Sequence, residues 1–592
     1  MHITNKDLAH LLRSVAAAYL LTGANRFRII AYEKAADTVE LLNQEVYDIW
    51  ENNGVKGIAE TAGIGPTISQ HLNEYFTKRE GSYLDEQLQS IPAPVYELMR
   101  APGIGPKKAF RIAKEFNLTD IKTVFEDVKK LAAAHKISVL EGFGEKSEAD
   151  IVKAINVHLG RQDKEERMAL PEAFSLAQDI ISYMMKQDDV EQIEALGSLR
   201  RMMATIGDVD LAVIAKEDTY EKILAHFVSY PQTQTIEAHG VNKAAIITKN
   251  GKRIDLRIVD RERYGAMLQY FTGSKGHNIK LREFALKKGL SLNEFGIKNV
   301  KTGETVSIEN EEDFYAYLKL PYIVPELREG TDEVRRAADK KLPDLVELKD
   351  IKGEFHIHSS FPIEPSHDLG ANTFEEMIAL AQELKYSYLG FSEHNPSVSK
   401  HSEEEIVELV KKKKEALTLL EKKYPKMLLL NSLEVDILPN GSLAIPESDV
   451  KYLDMVVVSI HSAFTQDRAT MTKRILKALT FPKVKIFAHP TARLINKREE
   501  IDADWDSIFK EVAKKDIALE VNAYPDRLDL PDAMVRRAIS FGCKIVIDTD
   551  AHHNDQMTNM IFGVSVARRG WAEKKDVINA QNSTFISSWV GR

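Results

Sequence analysis

The sequence predicts a multidomain protein that joins α+β and α/β parts, and three observations carry that class. Residues 1–160 read as helices joined by short Gly-containing turns. Residues 165–260 change to strand-like runs around a helix. From residue 351 on, seven short apolar segments end in polar clusters and alternate with helical stretches. That is the pattern of a (β/α)7 barrel with its chemistry at the strand ends.

The helical part contains three similar turns: Ala62-Gly63-Ile64-Gly65-Pro66, Pro102-Gly103-Ile104-Gly105-Pro106 and Glu141-Gly142-Phe143-Gly144-Glu145. Each precedes a helical pattern. In the next part Ile206–Ile214, Ala244–Thr248 and Arg253–Val259 are strand-like. Residues 261–325 return to mixed helix and loop, and 326–350 are charged, with Pro325 and Pro343 near the ends, as in a linker. The barrel segments are Phe355-His356, Tyr388–Phe391, Met427–Leu430, Met455–Val458, Ile486–Ala488, Ala518–Val521 and Lys544–Ile547.

A chain of 592 residues exceeds one ordinary core and divides into roughly three to five domains. No segment approaches about 18 uninterrupted apolar residues, so no membrane span is expected. Val15–Thr22 reads as a buried helix face rather than a signal peptide. The single cysteine, Cys543, excludes internal disulfides and fits a reducing cytoplasm. Net charge is −9, but it is unevenly spread. Residues 251–300 carry 11 Lys/Arg against 5 Asp/Glu, and residues 301–350 carry 8 against 13. A local basic strip can bind phosphates on an acidic protein.

Gly-hydrophobic-Gly between helices exposes backbone N–H groups at a helix N-terminus, which bind a phosphate oxygen without reading bases. Three copies, with Lys107 and Lys146 nearby, point to a DNA backbone contacted by Gly63, Gly65, Gly103, Gly105, Gly142 and Gly144. The alternative for any single copy is a plain Gly cap between packed helices. These turns resemble helix-hairpin-helix motifs.

Gly197-Ser198-Leu199-Arg200-Arg201 precedes Gly207-Asp208-Val209-Asp210. A Gly-Ser turn with paired arginines suits a triphosphate. In an extended strand, residues i and i+2 share a face, so Asp208 and Asp210 converge. Paired carboxylates repel unless a cation sits between them. The pattern predicts phosphoryl transfer assisted by Mg²⁺ or Mn²⁺. Asp255 has the strand context to supply a third carboxylate; the alternative is a strand-end acid paired with Arg257.

With Tyr270-Phe271-Thr272-Gly273-Ser274-Lys275, His277-Asn278 and Arg282, residues 1–325 resemble the family X DNA polymerases. The resemblance implies an end-binding helical domain over 1–85, helix-hairpin-helix fingers over 86–164, a nucleotidyltransferase palm over 165–260 and a thumb over 261–325. It implies metal binding by Asp208, Asp210 and Asp255, with Gly197, Ser198 and Arg201 at the triphosphate. Tyr270 and Phe271 would form the sugar-discriminating wall, Gly273 would lie at the nucleotide, and Asn278 and Arg282 would contact nucleotide and template. Two features depart from the pattern. Met203-Ala204 replace a Lys-Glu pair common in relatives, removing one positive charge. The helix after the first turn, Thr67-Ile68-Ser69-Gln70-His71, has no lysine for a Schiff base.

Nine of the 17 histidines fall in 351–592, most in or beside strand-end clusters. Imidazoles mixed with carboxylates suit Zn²⁺, Mn²⁺ or Fe²⁺. His367 and His401 read as structural loop residues. Residues 351–592 resemble the polymerase-and-histidinol-phosphatase (PHP) domain. The resemblance implies a cluster of up to three Zn²⁺ or Mn²⁺ ions on His356, His358, His394, Glu434, His461, His489, Asp550 and His552. A ninth ligand, an aspartate, maps onto Asp368 or is replaced by Glu364. The run Lys411–Lys414 reads as a solvated helix face.

The expected protein is a monomeric, cytoplasmic repair polymerase. It would act on gapped or nicked DNA with deoxynucleoside triphosphates, and its PHP part would trim or clean 3′ ends, including abasic sites. Two rivals are a PHP small-molecule phosphatase with a DNA-binding appendage and a non-catalytic DNA-end scaffold.

Overall fold

The computed structural model describes residues 3, 5–40, 46–60, 64–78, 81–101, 104–162 and 167–592. The chain divides into two compact units, Met1–Glu165 and Glu166–Arg592.

The first unit is helical. Helices Asn5–Leu21, Arg26–Glu40, Val46–Glu60 and Pro66–Lys78 enclose Leu8, Leu12, Val15, Tyr32, Leu72 and Phe76. Val15 is fully buried, as the apolar run requires. A second cluster, with Val95, Leu98, Ile112, Val128 and Ile155, is built from Pro106–Glu115, Val124–Ala133 and Glu145–Gln162 together with preceding short helices. Pro66 and Pro106 open their helices, where a missing N–H costs nothing.

The second unit starts with a five-stranded sheet in the order Gln192–Ala195, Val209–Ile214, Arg253–Val259, Lys243–Thr248, Thr233–His239. Val209–Ile214 and Arg253–Val259 run parallel, in a register that sets Asp210 beside Asp255. Helix Leu170–Met184 packs its apolar stripe on this sheet. The following helices, Tyr264–Thr272 and Lys275–Leu286, lead to a small antiparallel sheet of Leu290–Asn293, Gly296–Asn299 and Thr305–Val306.

Residues 326–350 do not form a bare linker. They include helix Glu333–Ala338, and Arg328 and Glu333 are wholly buried. Arg328 pairs with Glu311, and Glu333 lies 2.8 Å from His277 Nδ1. Two of the segment's charges, Arg328 and Glu333, are thus spent on buried partners, while others such as Arg335 and Lys349 stay exposed.

Beyond residue 352 the strands are parallel. Gly353–Ile357, Tyr388–Phe391 and Leu428–Asn431 form one run; Glu434–Asp436, Val456–Ser459, Val484–Phe487, Ala518–Asn522 and Lys544–Asp548 form a second. Leu428–Asn431 and Glu434–Asp436 are two pieces of one interrupted segment, which leaves seven strand positions. Isolated parallel bridges, His394–Glu434 and Ile357–Ala551, link the runs at both junctions. The strands are buried on both faces, as helix-covered parallel sheets require.

Candidate functional site

Two clusters of ligand-type side chains stand out, one on the five-stranded sheet and one at the parallel strand ends. In the first, one carboxylate oxygen each from Asp208, Asp210 and Asp255 lies within 4.8 Å of the others. Asp210 and Asp255 occupy paired positions on adjacent parallel strands, and Asp208 lies just before the first of them. Burial pushes the Asp210 carboxyl up to about 7, and the charges of Asp208 and Asp255 add to the rise. Burial and then Asp255 raise Asp208, while Arg253 and Arg167 oppose the shift. Asp255 is not paired with Arg257. It is held by Arg253, at 2.6 and 3.0 Å, and Arg257 instead lies over the Phe271 ring at 4.2 Å. Three converging carboxylates with two of them pushed toward protonation form a donor set that fits a divalent cation.

The Gly197–Arg200 turn abuts this triad. Residues Gly197–Arg200 form a single helical turn. Gly197 has φ +58°, and a Cβ there would stand 2.7 Å from Asp210 Oδ2. Both the backbone angle and the space therefore demand glycine. Arg201 donates from Nε to Glu329 at 2.9 Å and from NH1 to the Thr272 carbonyl at 2.6 Å. Arg200 points elsewhere, into a buried cluster with Thr272 at 2.7 Å and Glu311 at 2.7 Å.

Tyr270 and Phe271 meet edge to face with centroids 5.0 Å apart. Gly273 has φ +68°, and a side chain there would press on Arg201 NH1. Asn278 donates to the Tyr270 carbonyl at 2.8 Å, and Arg282 donates to the Asn278 carbonyl at 3.1 Å. His277 is not part of this surface. It is buried between Glu333 and Tyr315 Oη, each 2.8 Å away.

In the helical unit, Gly65, Gly105 and Gly144 each immediately precede a helix. Gly142 has φ +84°, with open space around it. Gly105, Lys107 and Lys146 are exposed. Gly63 and Gly103 lie outside the described residues.

At the parallel strand ends, Glu434 is the hub. Its Oε2 lies 3.2 Å from His356 Nε2 and 2.9 Å from His394 Nδ1. Its Oε1 lies 2.8 Å from His489 Nε2 and 3.3 Å from His461 Nε2. Asp550 Oδ1 lies 3.0 Å from His358 Nε2, and His552 stacks on His358 with centroids 4.0 Å apart. Burial raises the Glu434 carboxyl, but His394, His356 and His461 outweigh it and hold it well below the usual carboxylate range. His356 Nε2, Glu434 Oε2, Asp550 Oδ1 and His552 Nε2 are buried without a hydrogen bond of proper geometry. Nitrogen and oxygen donors that converge yet do not bond one another fit transition-type cations.

Asp368 lies 3.6 Å from Nε2 of both His394 and His552. Glu364 turns away to His401, 3.4 Å off. His367, expected as a structural loop residue, stands beside the cluster: it packs against His394 and His461, with centroids 4.8 and 4.6 Å away. Glu520 also escaped the sequence reading. It lies 2.7 Å from His356 Nδ1, orienting that imidazole, and accepts the backbone N–H of His489 at 2.6 Å, fixing the main chain there. Its signal was the strand-end alternation Glu520-x-Asn522. Tyr524 and Arg527 join His367, Asp368, His461 and Asp550 around a cavity of about 320 Å³.

Comparison with known proteins matches these parts in order. The helix-hairpin-helix domain family matches residues 3–80, the DNA polymerase beta thumb residues 267–329 and the PHP domain residues 354–524. The chain is 32% identical over 589 residues to "DNA polymerase/3'-5' exonuclease PolX" of Bacillus subtilis (strain 168), covering 99% of each chain. It is 28% identical over 145 residues to "Repair DNA polymerase X" of African swine fever virus (isolate Warthog/Namibia/Wart80/1980), covering 23% of this chain and 82% of the viral one.

Proposed function

The chain belongs to the family X DNA polymerases that carry a PHP domain, and from that premise we propose a fill-and-trim repair enzyme. Its palm and thumb, residues 165–260 and 261–325, add deoxynucleotides to a primer 3′ end in short DNA gaps. Its PHP part, residues 351–592, removes nucleotides or blocking groups from 3′ ends. The observation that carries the reading is the paired register of Asp210 and Asp255 beside the Gly197 turn.

Asp208, Asp210 and Asp255 would hold Mg²⁺ or Mn²⁺. When bound, such ions activate the primer hydroxyl and neutralise the triphosphate. Ser198 and Arg201 hold the triphosphate, and the Gly197 turn lets the backbone approach it. The Tyr270–Phe271 pair walls the sugar and disfavours a 2′-hydroxyl. Arg253 holds Asp255 in place until cations compete for the carboxylate.

The PHP cluster would hold Zn²⁺ or Mn²⁺ on His356, His358, Asp368, His394, Glu434, His461, His489, Asp550 and His552. When bound, such ions would lower the pKa of a water so that it could serve as the nucleophile near neutral pH. Glu520 and Asp436 orient the imidazoles, and Arg527, in the cavity wall, supplies the positive charge a phosphodiester needs. The exposed Gly65 and Gly105 turns and the half-buried Gly144 turn grip the DNA backbone.

The test is a gapped DNA substrate with Mg²⁺ or Mn²⁺, with and without nucleotides, resolving extension from degradation. An Asp208→Ala protein that still extends the primer sinks the polymerase assignment. An Asp550→Ala/His552→Ala protein with undiminished Mn²⁺-dependent trimming sinks the nuclease assignment.

A further inference from the structure

The helix Met560–Arg569 belongs to the PHP part, yet its last residue reaches the palm. Arg569 is 4% exposed in its side chain. Its NH1 donates to the backbone carbonyl of Arg201 at 2.8 Å and to Glu329 Oε1 at 2.8 Å. Its NH2 pairs with Asp532 at 2.6 Å. The same Glu329 oxygen accepts from Arg201 Nε at 2.9 Å. Two guanidinium groups from different domains therefore share one carboxylate, and one of them also fixes the main chain at the end of the phosphate turn.

Resting on the reading of Arg201 as a triphosphate ligand, we propose that Arg569 is a positioning residue for nucleotide binding, lent to the polymerase site by the PHP part. Two effects make it so. Arg201, Arg569, Glu329 and Asp532 together balance two positive charges against two negative ones. Without Arg569 the group carries an excess negative charge where a polyanion must bind, and Glu329 keeps Arg201 to itself. The second effect is geometric. The Arg201 carbonyl ends the Gly197–Arg200 turn, and a charge-assisted bond fixes it there. The helix follows directly from Asp550 and His552 through the 3₁₀ turn Asn554–Asn559. One segment thus carries two metal-ligand candidates and this clamp.

The contact is to the phosphate end of the site, so its loss affects every nucleotide alike. Steady-state gap filling by the full chain, Arg569→Ala and Arg569→Lys, with each of the four deoxynucleotides, reads this out. Arg569→Ala is expected to raise KM on the order of tenfold, the cost of one lost charged hydrogen bond. The factor is the same for all four nucleotides, and kcat stays within about twofold, as loss of uniform binding requires. Arg569→Lys recovers part of the loss, and 3′ trimming by Arg569→Ala persists. An unchanged KM, a kcat loss at unchanged KM, a factor that differs among nucleotides, or loss of trimming overturns the proposal. Failure of the unaltered chain to extend a primer refutes the polymerase reading instead.

Discussion

His367 Nε2 lies 3.1 Å from Asp436 Oδ1, and the same oxygen lies 2.7 Å from His461 Nδ1. One carboxylate thus steadies two imidazoles through one nitrogen each and leaves each ring a second nitrogen. His461 turns that nitrogen to Glu434. A ligand atom of His367 falls within 4.8 Å of those of His394 and His461.

Replacing His367 with alanine is therefore expected to weaken retention of one ion about 10–100-fold, the range for losing a partner in a metal cluster. Asp436→Asn should act in the same direction, through both rings. Metal per chain after graded dialysis, read by elemental mass spectrometry, checks this. Unchanged retention in both variants would return His367 to a structural role.

Metal binding at the palm should be coupled to proton release. The folded Asp210 carboxyl sits at about 7, above its ordinary value, so the folded site holds a proton below that pH. A cation must displace it. Apparent Mg²⁺ affinity is then expected to fall up to about tenfold per pH unit below 7, and to level off above it. The same sign governs stability of the metal-free chain. The burial cost of charged Asp210 is absent at low pH, grows as pH rises, and is complete above about 7. Calorimetric Mg²⁺ titrations in buffers of different ionisation enthalpy count the protons; zero release at pH 6 would contradict the shift.

Gly197→Ala tests the cradle. The new methyl would stand 2.7 Å from Asp210 Oδ2 in a backbone with φ +58°. Relief requires moving either the turn or the Asp210 carboxylate. Extension is expected to drop at least about 100-fold, as small misplacements at reacting groups do. Trimming by the PHP part should persist. Primer extension and nucleotide-free degradation on the same substrate separate the two.

Sequence patterns reached the parts of this fold that obey a period. Asp208, Asp210 and Asp255 were legible because their strands are flanked by buried apolar residues. The strand-end histidines were legible because each closes an apolar run. Thr233–His239 was missed: its residues are almost all exposed, so no alternation marks it as a strand. His367 was missed for another reason. It follows an irregular loop held by nonlocal bonds, such as Ser366 N–H to the Asn395 carbonyl at 2.8 Å. Nothing local in Phe361–His367 encodes that partner.

Lys413 is the sharpest case, and it carries the last prediction. In the run Lys411–Lys414 the four lysines look alike, and a solvated face is the natural reading. Helix Glu403–Lys423 turns Lys413 alone fully inward. There its ammonium group pairs with Glu393 and donates to the Phe391 carbonyl at 2.8 Å and the Ser432 carbonyl. Glu393 in turn accepts from Ser359 N at 3.1 Å and Oγ at 2.5 Å, just beyond His358, and itself precedes His394. Lys413→Met would strand a buried carboxylate, a loss of about 3–5 kcal/mol. Lys412→Met should change stability by less than about 0.5 kcal/mol. Chemical denaturation of the full chain, followed by a probe in the PHP part, compares the two. Because Glu393 sits between two cluster histidines, Lys413→Met should also weaken metal retention, whereas Lys412→Met should not. Equal behaviour of the two variants would mean that Glu393 gives up its charge without cost, and that the ion pair does not hold His358 and His394 in register.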